Sequence, residues 1–221
     1  MFKELNQYKE NWEKEKTVTI TNLFSDEDAN EIWSWYATNR SFSKSFFTGD
    51  ADADGHVPLV FADEGTEEYD KLTERVNQKL DRNEFTYRFG RTQEMHPKLI
   101  QMWQSKLFIG ALEYITGYDT LEWYPDSTFT SKYEEGDFLG AHTDENHGKI
   151  AFVYQLTKDW IPQYGGLFLR MPDWRNVDKT VVPQFNELTL FEVSGNGIPH
   201  MVTQVSNGVK KMRMGYSGWL R

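Results

Sequence analysis

Short runs of alternating apolar and polar residues fill the chain from Leu121 to its C-terminus, and glycine-rich turns separate them. An alternation with a period of two is typical of strands that bury one face. Short strands at close spacing with few helices favour a sandwich or jelly roll. The pattern predicts strands over Phe129–Tyr133, Ile150–Leu156, Leu167–Met171, Glu187–Val193, Met201–Val205 and Met212–Leu220.

The first 120 residues combine helical and strand periodicity. Strands are predicted over Thr17–Leu23 and Glu84–Arg91, where apolar side chains alternate with polar ones. Ser25 precedes three acidic residues and an apolar helical pattern, so it is predicted to cap a helix. A further helix is predicted over Glu67–Leu80.

The strongest helical pattern runs over Pro97–Thr116, from an N-terminal proline to a glycine stop at Gly117. Its apolar stripe consists of Leu99, Trp103, Leu107 and Ala111. Residues 39–65 are instead rich in Ser, Gly and Asp, and they predict a long loop that we interpret as a candidate lid.

These patterns predict an α+β protein that is mainly β in its C-terminal half. We expect a single domain over residues 1–221. In it, residues 1–120 form a supporting region of helices and strands, and residues 121–221 form the β core that carries the site.

The composition narrows the possible functions. The chain has 24 Lys and Arg against 34 Asp and Glu, and its net charge of −10 disfavours a nucleic-acid or membrane partner. It contains no cysteine, so thiolate metal sites and cysteine nucleophiles are excluded, and a metal would need His, Asp or Glu. The N-terminus is charged and no apolar run approaches the length of a membrane span, so we expect a cytoplasmic protein.

Three residues are candidate metal ligands. His142 and Asp144 are two positions apart, so on an extended backbone their side chains share one face. His200 follows 56 residues after Asp144, beside a predicted strand. Two histidines and one carboxylate are the ligand set of non-haem iron oxygenases, which leaves positions open for a chelating 2-oxo acid and dioxygen. The His-x-Asp pair alone also fits a surface turn.

Four segments between Ser131 and Arg221 carry a resemblance to the 2-oxoglutarate oxygenase superfamily. They read SKYEEGDFLGAHTDE, KIAFVYQLTKDWIPQYGGLFLR, PQFNELTLFEVSGNGIPHMVTQV and RMGYSGWLR. Their order and spacing resemble the prolyl-hydroxylase-like branch, most strongly the catalytic domain of ribosomal-protein prolyl hydroxylases and small single-domain relatives. The resemblance implies a double-stranded β-helix, a jelly-roll or cupin-like core, with the N-terminal helices packed against it.

The resemblance also implies the site residues. Arg213 matches the family arginine that pairs with the far carboxylate of 2-oxoglutarate, and Lys210 is the competing candidate. A guanidinium fork suits a carboxylate better than a lysine does, which favours Arg213. Tyr133 matches a tyrosine that binds the co-substrate, and Tyr154 is assigned as a second contact. The iron ligands implied are His142, Asp144 and His200.

The cofactors implied are iron(II), 2-oxoglutarate and dioxygen, with ascorbate as a reductant. The implied reaction hydroxylates a C–H bond and releases succinate and carbon dioxide, and a prolyl residue in a peptide or protein is the first choice of substrate. A basic peptide would suit the acidic chain. The alternatives are an oxygenase acting on a free amino acid or small metabolite, a cupin metalloenzyme that does not use 2-oxoglutarate, and a non-catalytic jelly-roll module that binds a metal. The oligomeric state stays open.

Ordinary structural roles are assigned to several other residues. His147 is placed in the loop after the His-x-Asp motif, and His96 is placed on the surface. Arg88 and Arg91 share a predicted strand and fit either the mouth of the site or the surface. Gly165–Gly166 is interpreted as a tight turn or a close approach between strands rather than a phosphate loop. Three tryptophans are assigned to the core: Trp160, Trp174 and Trp219.

Overall fold

The computed structural model describes residues 2–38, 41–51, 54–195 and 197–221. Within these ranges the helices are α1 (Phe2–Glu15), α2 (Asp26–Thr38), α3 (Glu67–Asp81), α4 (Pro97–Trp103) and α5 (Lys106–Thr116). The strands of the first half are β1 (Thr17–Thr21), β2 (Ser43–Phe47), β3 (Val60–Phe61) and β4 (Tyr87–Thr92). Those of the second half are β5 (Phe129–Tyr133), β6 (Phe138–His142), β7 (Ile150–Gln155), β8 (Phe168–Arg170), β9 (Lys179–Val181), β10 (Glu187–Glu192), β11 (His200–Val202) and β12 (Arg213–Leu220).

Antiparallel pairing joins strands from both halves of the chain into one curled sheet with a jelly-roll-like arrangement. The order of the strands is β1-β10-β7-β12-β5-β4-β6-β11-β8-β9, and β2 pairs with β3 and β4 beside this path. The predicted α+β class and the β-rich C-terminal half are therefore confirmed. All six strands predicted after Leu121 are present, although β6 and β9 were not predicted.

Side chains alternate along β12, and this alternation separates two environments. Met214, Tyr216 and Leu220 are fully buried in the largest apolar cluster, on the face of the sheet that the helices cover. The intervening residues of β12 face the opposite side, the space that the curled sheet encloses, which we call the lumen. The helices contribute these buried residues to the large cluster: Trp12, Ile32, Tyr36, Leu99, Trp103, Leu112 and Ile115. No helix in the described ranges is long and apolar enough to cross a membrane.

The helix predicted over Pro97–Thr116 is two helices. α4 ends at Trp103, and Ser105 starts α5 by accepting a hydrogen bond at its side chain from the Phe108 amide. The break changes the phase of the second helix, so Leu107 is 83% exposed and its assignment to the buried stripe is wrong. The predicted stop is confirmed, since Gly117 adopts the left-handed conformation with a φ of 73°.

The prediction of a continuous loop over residues 39–65 is wrong. β2 and β3 lie within it, and Ser45 and Phe46 of β2 are fully buried. The polar residues of β2 made the strand hard to predict. Its Lys44 is nevertheless buried, because it pairs with an acid far along the chain. Residues 39, 40, 52 and 53 of this segment lie outside the described residues, and the lid interpretation stays a prediction.

The acid that pairs with Lys44 is Asp137. This fully buried carboxylate ties β2 and β4 to the turn before β6. Asp137 accepts hydrogen bonds from Lys44 Nζ at 2.8 Å and from Arg88 Nε at 3.1 Å. It also accepts one from the Glu134 amide at 3.0 Å. Removal of the carboxylate would leave Arg88 without an acidic partner, and Lys44 would keep only the longer ion pairs with Glu64 and Glu134.

We expect Asp137→Ala to lower the free energy of unfolding by about 3–5 kcal/mol, because Arg88 would lose its one described acidic partner and Lys44 would lose its nearest one. Urea denaturation measures this difference. The matched control is Glu67→Ala, which removes an exposed carboxylate that pairs with Lys71. We expect the control to change stability by no more than ~0.5 kcal/mol. Equal effects of the two changes would contradict the structural role of Asp137.

Candidate metal centre and its anion pocket

The ends of β6 and β11 bring three ligand-type side chains together. His142 ends β6 and His200 begins β11, and the register of the two strands places them opposite each other. Asp144 follows two residues after β6. Its Oδ1 lies 3.3 Å from His142 Nε2 and its Oδ2 lies 3.4 Å from His200 Nε2. All three ligand atoms lie within 4.8 Å of one another, so one metal ion could be held by the three residues.

Backbone carbonyls orient both imidazoles toward Asp144. The Nδ1 atom of His142 lies 2.9 Å from the Gly140 oxygen, and that of His200 lies 2.9 Å from the Ile198 oxygen. An Nδ1–H that donates to a carbonyl leaves the lone pair on Nε2, which is the form that binds a metal. The backbone therefore selects the tautomer that a metal site needs.

Apolar rings surround the imidazoles. Phe85 stacks on His142 with 4.9 Å between ring centroids, and Phe191 meets His200 edge-on at 4.8 Å. Burial raises the pKa of the Asp144 carboxyl, but when the two histidines are protonated, as they can be without a metal, their hydrogen bonds and charge outweigh burial and hold that pKa below its usual range. Asp144 is therefore ionised at neutral pH and suited to bind a cation.

A buried guanidinium lies on the lumen side of the sheet. Arg213 begins β12, pairs in register with Tyr133 of β5, and is 3% exposed. Its guanidinium carbon lies 4.7 Å from the centroid of the Tyr133 ring. The buried Nε of Arg213 has no hydrogen-bond partner, and no carboxylate in the described part of the chain pairs with it. A buried cation without a partner is strongly destabilising, so this arrangement fits a ligand that carries a carboxylate.

The guanidinium and the metal ligands share one lumen. Trp219 lies on the same face of β12 as Arg213, six residues farther along the strand. It packs with Phe168 and Phe191 in one apolar cluster. Both phenylalanine rings contact His200. A ligand that reaches from the metal cluster to Arg213 would therefore cross the interior of the curled sheet.

The hydroxyl of Tyr133 can donate to the same anion. Burial raises the pKa of Tyr133 to about 12, although the neighbouring guanidinium opposes this shift. The phenol therefore keeps its proton at neutral pH. Lys210, the competing candidate, is 86% exposed and its Nζ lies 3.3 Å from Glu135 Oε2 at the surface. The geometry favours Arg213 as the partner of a buried carboxylate.

The assignment of Tyr154 to the co-substrate is wrong. Its side chain lies in the large apolar cluster on the helix side of the sheet, and its hydroxyl lies 3.1 Å from Asn186 Oδ1. The next residue, Gln155, pairs with Gly215 and faces the lumen instead. Its buried Oε1 has no hydrogen-bond partner among the described residues. Gln155 is therefore a site residue that sequence reasoning missed, although a polar residue ending an otherwise apolar strand was the available signal.

The structure corrects some of the roles assigned to other residues from the sequence and confirms others. His96 is wrongly placed on the surface, since it is 4% exposed and its Nδ1 caps α4. Trp174 is wrongly placed in the core, since it is 56% exposed. His147 lies in the loop after the motif as predicted, and it stacks on Trp219. Arg88 is buried in the ion pair with Asp137 rather than at the mouth of the site.

The segment that holds the site matches a known family. Residues 128–221 fit the family model of the 2OG-Fe(II) oxygenase superfamily. This match covers 94 of the 221 residues, so it shows similarity between this segment and that superfamily. The segment contains all three candidate metal ligands as well as Tyr133 and Arg213. The cofactors implied by the family are iron(II), 2-oxoglutarate and dioxygen.

Related proteins agree with this placement. The chain is 36% identical over 95 residues to Prolyl 3-hydroxylase OGFOD1 of Mus musculus, a match that covers 40% of this chain and 17% of that protein. A prolyl hydroxylase of Trichoplax adhaerens, solved with a hypoxia inducible factor peptide, has 15% identity and a TM-score of 0.57, covering 99% of this chain and 89% of that chain. A prolyl-4-hydroxylase of Pseudomonas putida has 16% identity and a TM-score of 0.51 over 98% of both chains. At these identities the two structures establish the common fold.

The structure of the matched segment depends on a glycine beside Arg213. Gly165–Gly166 follows the 3-10 turn Pro162–Tyr164 and confirms the predicted close strand approach, since Gly165 forms a bridge with Val205; the two φ values are 68° and 60°. A Cβ on Gly166 would lie 3.1 Å from Arg213 Cδ and 3.2 Å from Trp160 Cζ2. Any larger residue would therefore press on the buried arginine and also adopt an unfavourable backbone conformation.

We expect Gly166→Ala to lower stability by about 1–3 kcal/mol and to weaken 2-oxoglutarate binding, because it strains the backbone and displaces Arg213. The control is Gly208→Ala, since Gly208 also has a positive φ of 83° but no atom within 4 Å of an added Cβ. We expect the control to show a stability loss of about 1 kcal/mol and unchanged 2-oxoglutarate affinity. Thermal unfolding and calorimetric titration measure the two effects. Unchanged affinity in Gly166→Ala would contradict the link between this turn and Arg213.

Proposed function

We propose that the chain is an iron(II)- and 2-oxoglutarate-dependent dioxygenase that hydroxylates a C–H bond and releases succinate and carbon dioxide. The observation that carries the proposal is the combination of the His142–Asp144–His200 cluster with a buried, unpaired Arg213 in one lumen. A metal site alone needs no arginine, and an arginine alone needs no metal. A ligand with one metal-binding end and one distant carboxylate satisfies both.

Each site residue has a distinct task in this proposal. His142, Asp144 and His200 would hold iron(II), as their Nε2 atoms and the carboxylate are directed at one point. When bound, iron(II) and 2-oxoglutarate supply the activation of dioxygen that oxidises the substrate. Arg213 would hold the far carboxylate of 2-oxoglutarate by charge-assisted hydrogen bonds.

Two further groups would orient the co-substrate within the lumen. The protonated Tyr133 hydroxyl would donate to the far carboxylate beside Arg213. Gln155 pairs with Gly215, which lies two residues after Arg213 in β12. The side-chain amide of Gln155 would hydrogen-bond the same co-substrate molecule. Apolar rings around the imidazoles, such as Phe168 and Phe191, would keep bulk water away from the reacting centre.

We further propose that the substrate is a prolyl residue in a peptide or protein. Support comes from the relatives, which include a prolyl 3-hydroxylase and a prolyl hydroxylase solved with a peptide. The net charge of −10 would favour the approach of a basic peptide. A free amino acid or small metabolite remains the alternative substrate class. The buried Arg213 disfavours both a cupin metalloenzyme that does not use 2-oxoglutarate and a non-catalytic metal-binding module, because neither needs it.

The organisation of the chain belongs to the same proposal. We propose that residues 1–221 act as one domain, and the shared sheet supports this, since β1 to β4 pair with strands of the C-terminal half or with one another. A cytoplasmic location stays a prediction from the sequence.

Turnover with defined peptides tests the function. We expect lysine-rich peptides that contain proline to stimulate succinate release in the presence of iron(II), 2-oxoglutarate and ascorbate, and to gain the mass of one oxygen atom. The same peptides with alanine in place of proline should give neither signal. Asp144→Ala should reduce turnover by about 100-fold or more with an unchanged circular dichroism spectrum. The matched control is Glu145→Ala, which alters the exposed neighbour and should retain turnover.

Two outcomes would contradict this proposal. Stimulation by free amino acids but by no peptide would move the function to the small-molecule alternative. Wild-type turnover in Asp144→Ala would overturn the assignment of the metal ligands themselves.

A further inference from the structure

A second arginine on the lumen face lacks an acidic partner. Among the described arginines that are not exposed, Arg75, Arg88 and Arg170 each form an ion pair with an aspartate. Arg213 and Arg91 form none within the described ranges. The proposed function assigns Arg213 to 2-oxoglutarate, so Arg91 is left as a half-buried cation that no described residue neutralises.

Arg91 lies beside the co-substrate pocket in the sheet. It pairs with Ser131 of β5, and Ser131 pairs with Gly215 of β12. Tyr133 and Arg213 form the neighbouring pair on this face: Tyr133 lies two residues after Ser131 in β5, and Arg213 lies two residues before Gly215 in β12. Because side chains two apart on a strand share a face, Arg91 points to the same lumen as Arg213.

Aromatic contacts hold Arg91 in place. Its guanidinium carbon lies 3.9 Å from the centroid of the Phe129 ring, a close cation–π contact. Burial lowers the pKa of Arg91, and a hydrogen bond with Tyr87 opposes that shift. Arginine still keeps its charge in proteins. Phe129 covers one face of the guanidinium, and the N–H groups that do not bond to Tyr87 are available for a ligand.

The same aromatic residues connect Arg91 to the metal cluster. Tyr87 lies 6.0 Å from Phe85 between ring centroids, and Phe85 stacks on His142 at 4.9 Å. Phe85 is at the surface and Tyr87 is half-buried, so this row runs from the mouth of the site into the lumen. A substrate that enters along these aromatic residues would contact their apolar rings first and then the guanidinium of Arg91.

We infer that Arg91 binds a carboxylate of the prime substrate and thereby positions the substrate along the row of aromatic residues. This inference rests on the proposed function, since it assumes that Arg213 is occupied by 2-oxoglutarate. A planar guanidinium recognises a carboxylate through two parallel hydrogen bonds, which fixes orientation as well as affinity. The carboxylate can belong to an acidic side chain or to a C-terminus. A basic peptide that carries one such group satisfies both the surface charge and Arg91.

Two pairs of small probes test the inference and separate the two sources. N-acetyl-L-proline and its primary amide differ only in a terminal carboxylate. N-acetyl-aspartyl-prolinamide and N-acetyl-asparaginyl-prolinamide differ only in a side-chain carboxylate. Binding of each probe is measured by calorimetry on anaerobic protein that holds iron(II) and saturating 2-oxoglutarate, so that Arg213 is already occupied.

We expect the acid of at least one pair to bind about tenfold more tightly than its amide partner. Arg91→Gln should remove this preference, and Arg91→Lys should keep part of it because the charge remains. The matched control is Arg82→Gln, which alters an exposed arginine at the end of α3 and should leave the preference intact. Whichever pair shows the preference identifies the source of the carboxylate.

The inference is overturned if neither acid binds more tightly than its amide in the wild type, or if the preference survives in Arg91→Gln. Failure of the proposed function has a separate signature. If wild-type protein develops no visible absorption band when iron(II) and 2-oxoglutarate are combined, the proposed function fails irrespective of the probes. A band without any preference for the acids contradicts the role of Arg91 alone.

Discussion

The alternation of side chains along β12 is the constraint on which both the core and the site depend. One set of residues, including Met214, Tyr216 and Leu220, is fully buried against the helices. The other set begins with Arg213 and faces the lumen. Because β12 is hydrogen-bonded to β5 on one side and to β7 on the other, its register also fixes Tyr133 and Gln155. The apolar cluster that stabilises the fold therefore also positions the polar groups of the site.

Buried charges in this protein fall into two groups. Asp137 is compensated within the chain by Lys44 and Arg88, and this pairing ties strands together. Asp144 is flanked by two imidazoles whose lone pairs are directed at the same point, and Arg213 has no compensating acid in the described structure. Groups of the second kind are arranged to bind a ligand, so they mark the candidate site. Arg91 belongs with them.

The sequence predicted the strands after Leu121 because a period of two is visible without any tertiary information. The His-x-Asp spacing and the resemblance of the surrounding segments also predicted the three side chains that the structure brings together as a candidate metal cluster. The sequence favoured Arg213 over Lys210 because a guanidinium fork suits a carboxylate, but a single sequence does not display which of the two is buried. The exposed Lys210 and the buried Arg213 make that difference plain in the structure.

The errors have equally physical causes. Tyr154 was chosen by residue type, but a displacement of one residue on a strand moves the side chain to the other face, and Gln155 lies in the lumen instead. β2 was missed because Lys44 is buried through ion pairs with acids such as Asp137, which lies far along the chain. The break between α4 and α5 depends on the cap at Ser105, which an otherwise helical pattern concealed.

The most direct test of the central claim is the visible spectrum of anaerobic protein with iron(II) as 2-oxoglutarate is added. Chelation of the iron by the 2-oxo acid produces a charge-transfer band that requires no knowledge of the prime substrate. We expect the band in the wild type and in Lys210→Ala at similar co-substrate concentrations. We expect Arg213→Ala to need at least about tenfold more 2-oxoglutarate to develop the same band. A wild-type protein that binds iron without a band, or an Arg213→Ala titration that matches the wild type, would contradict the account.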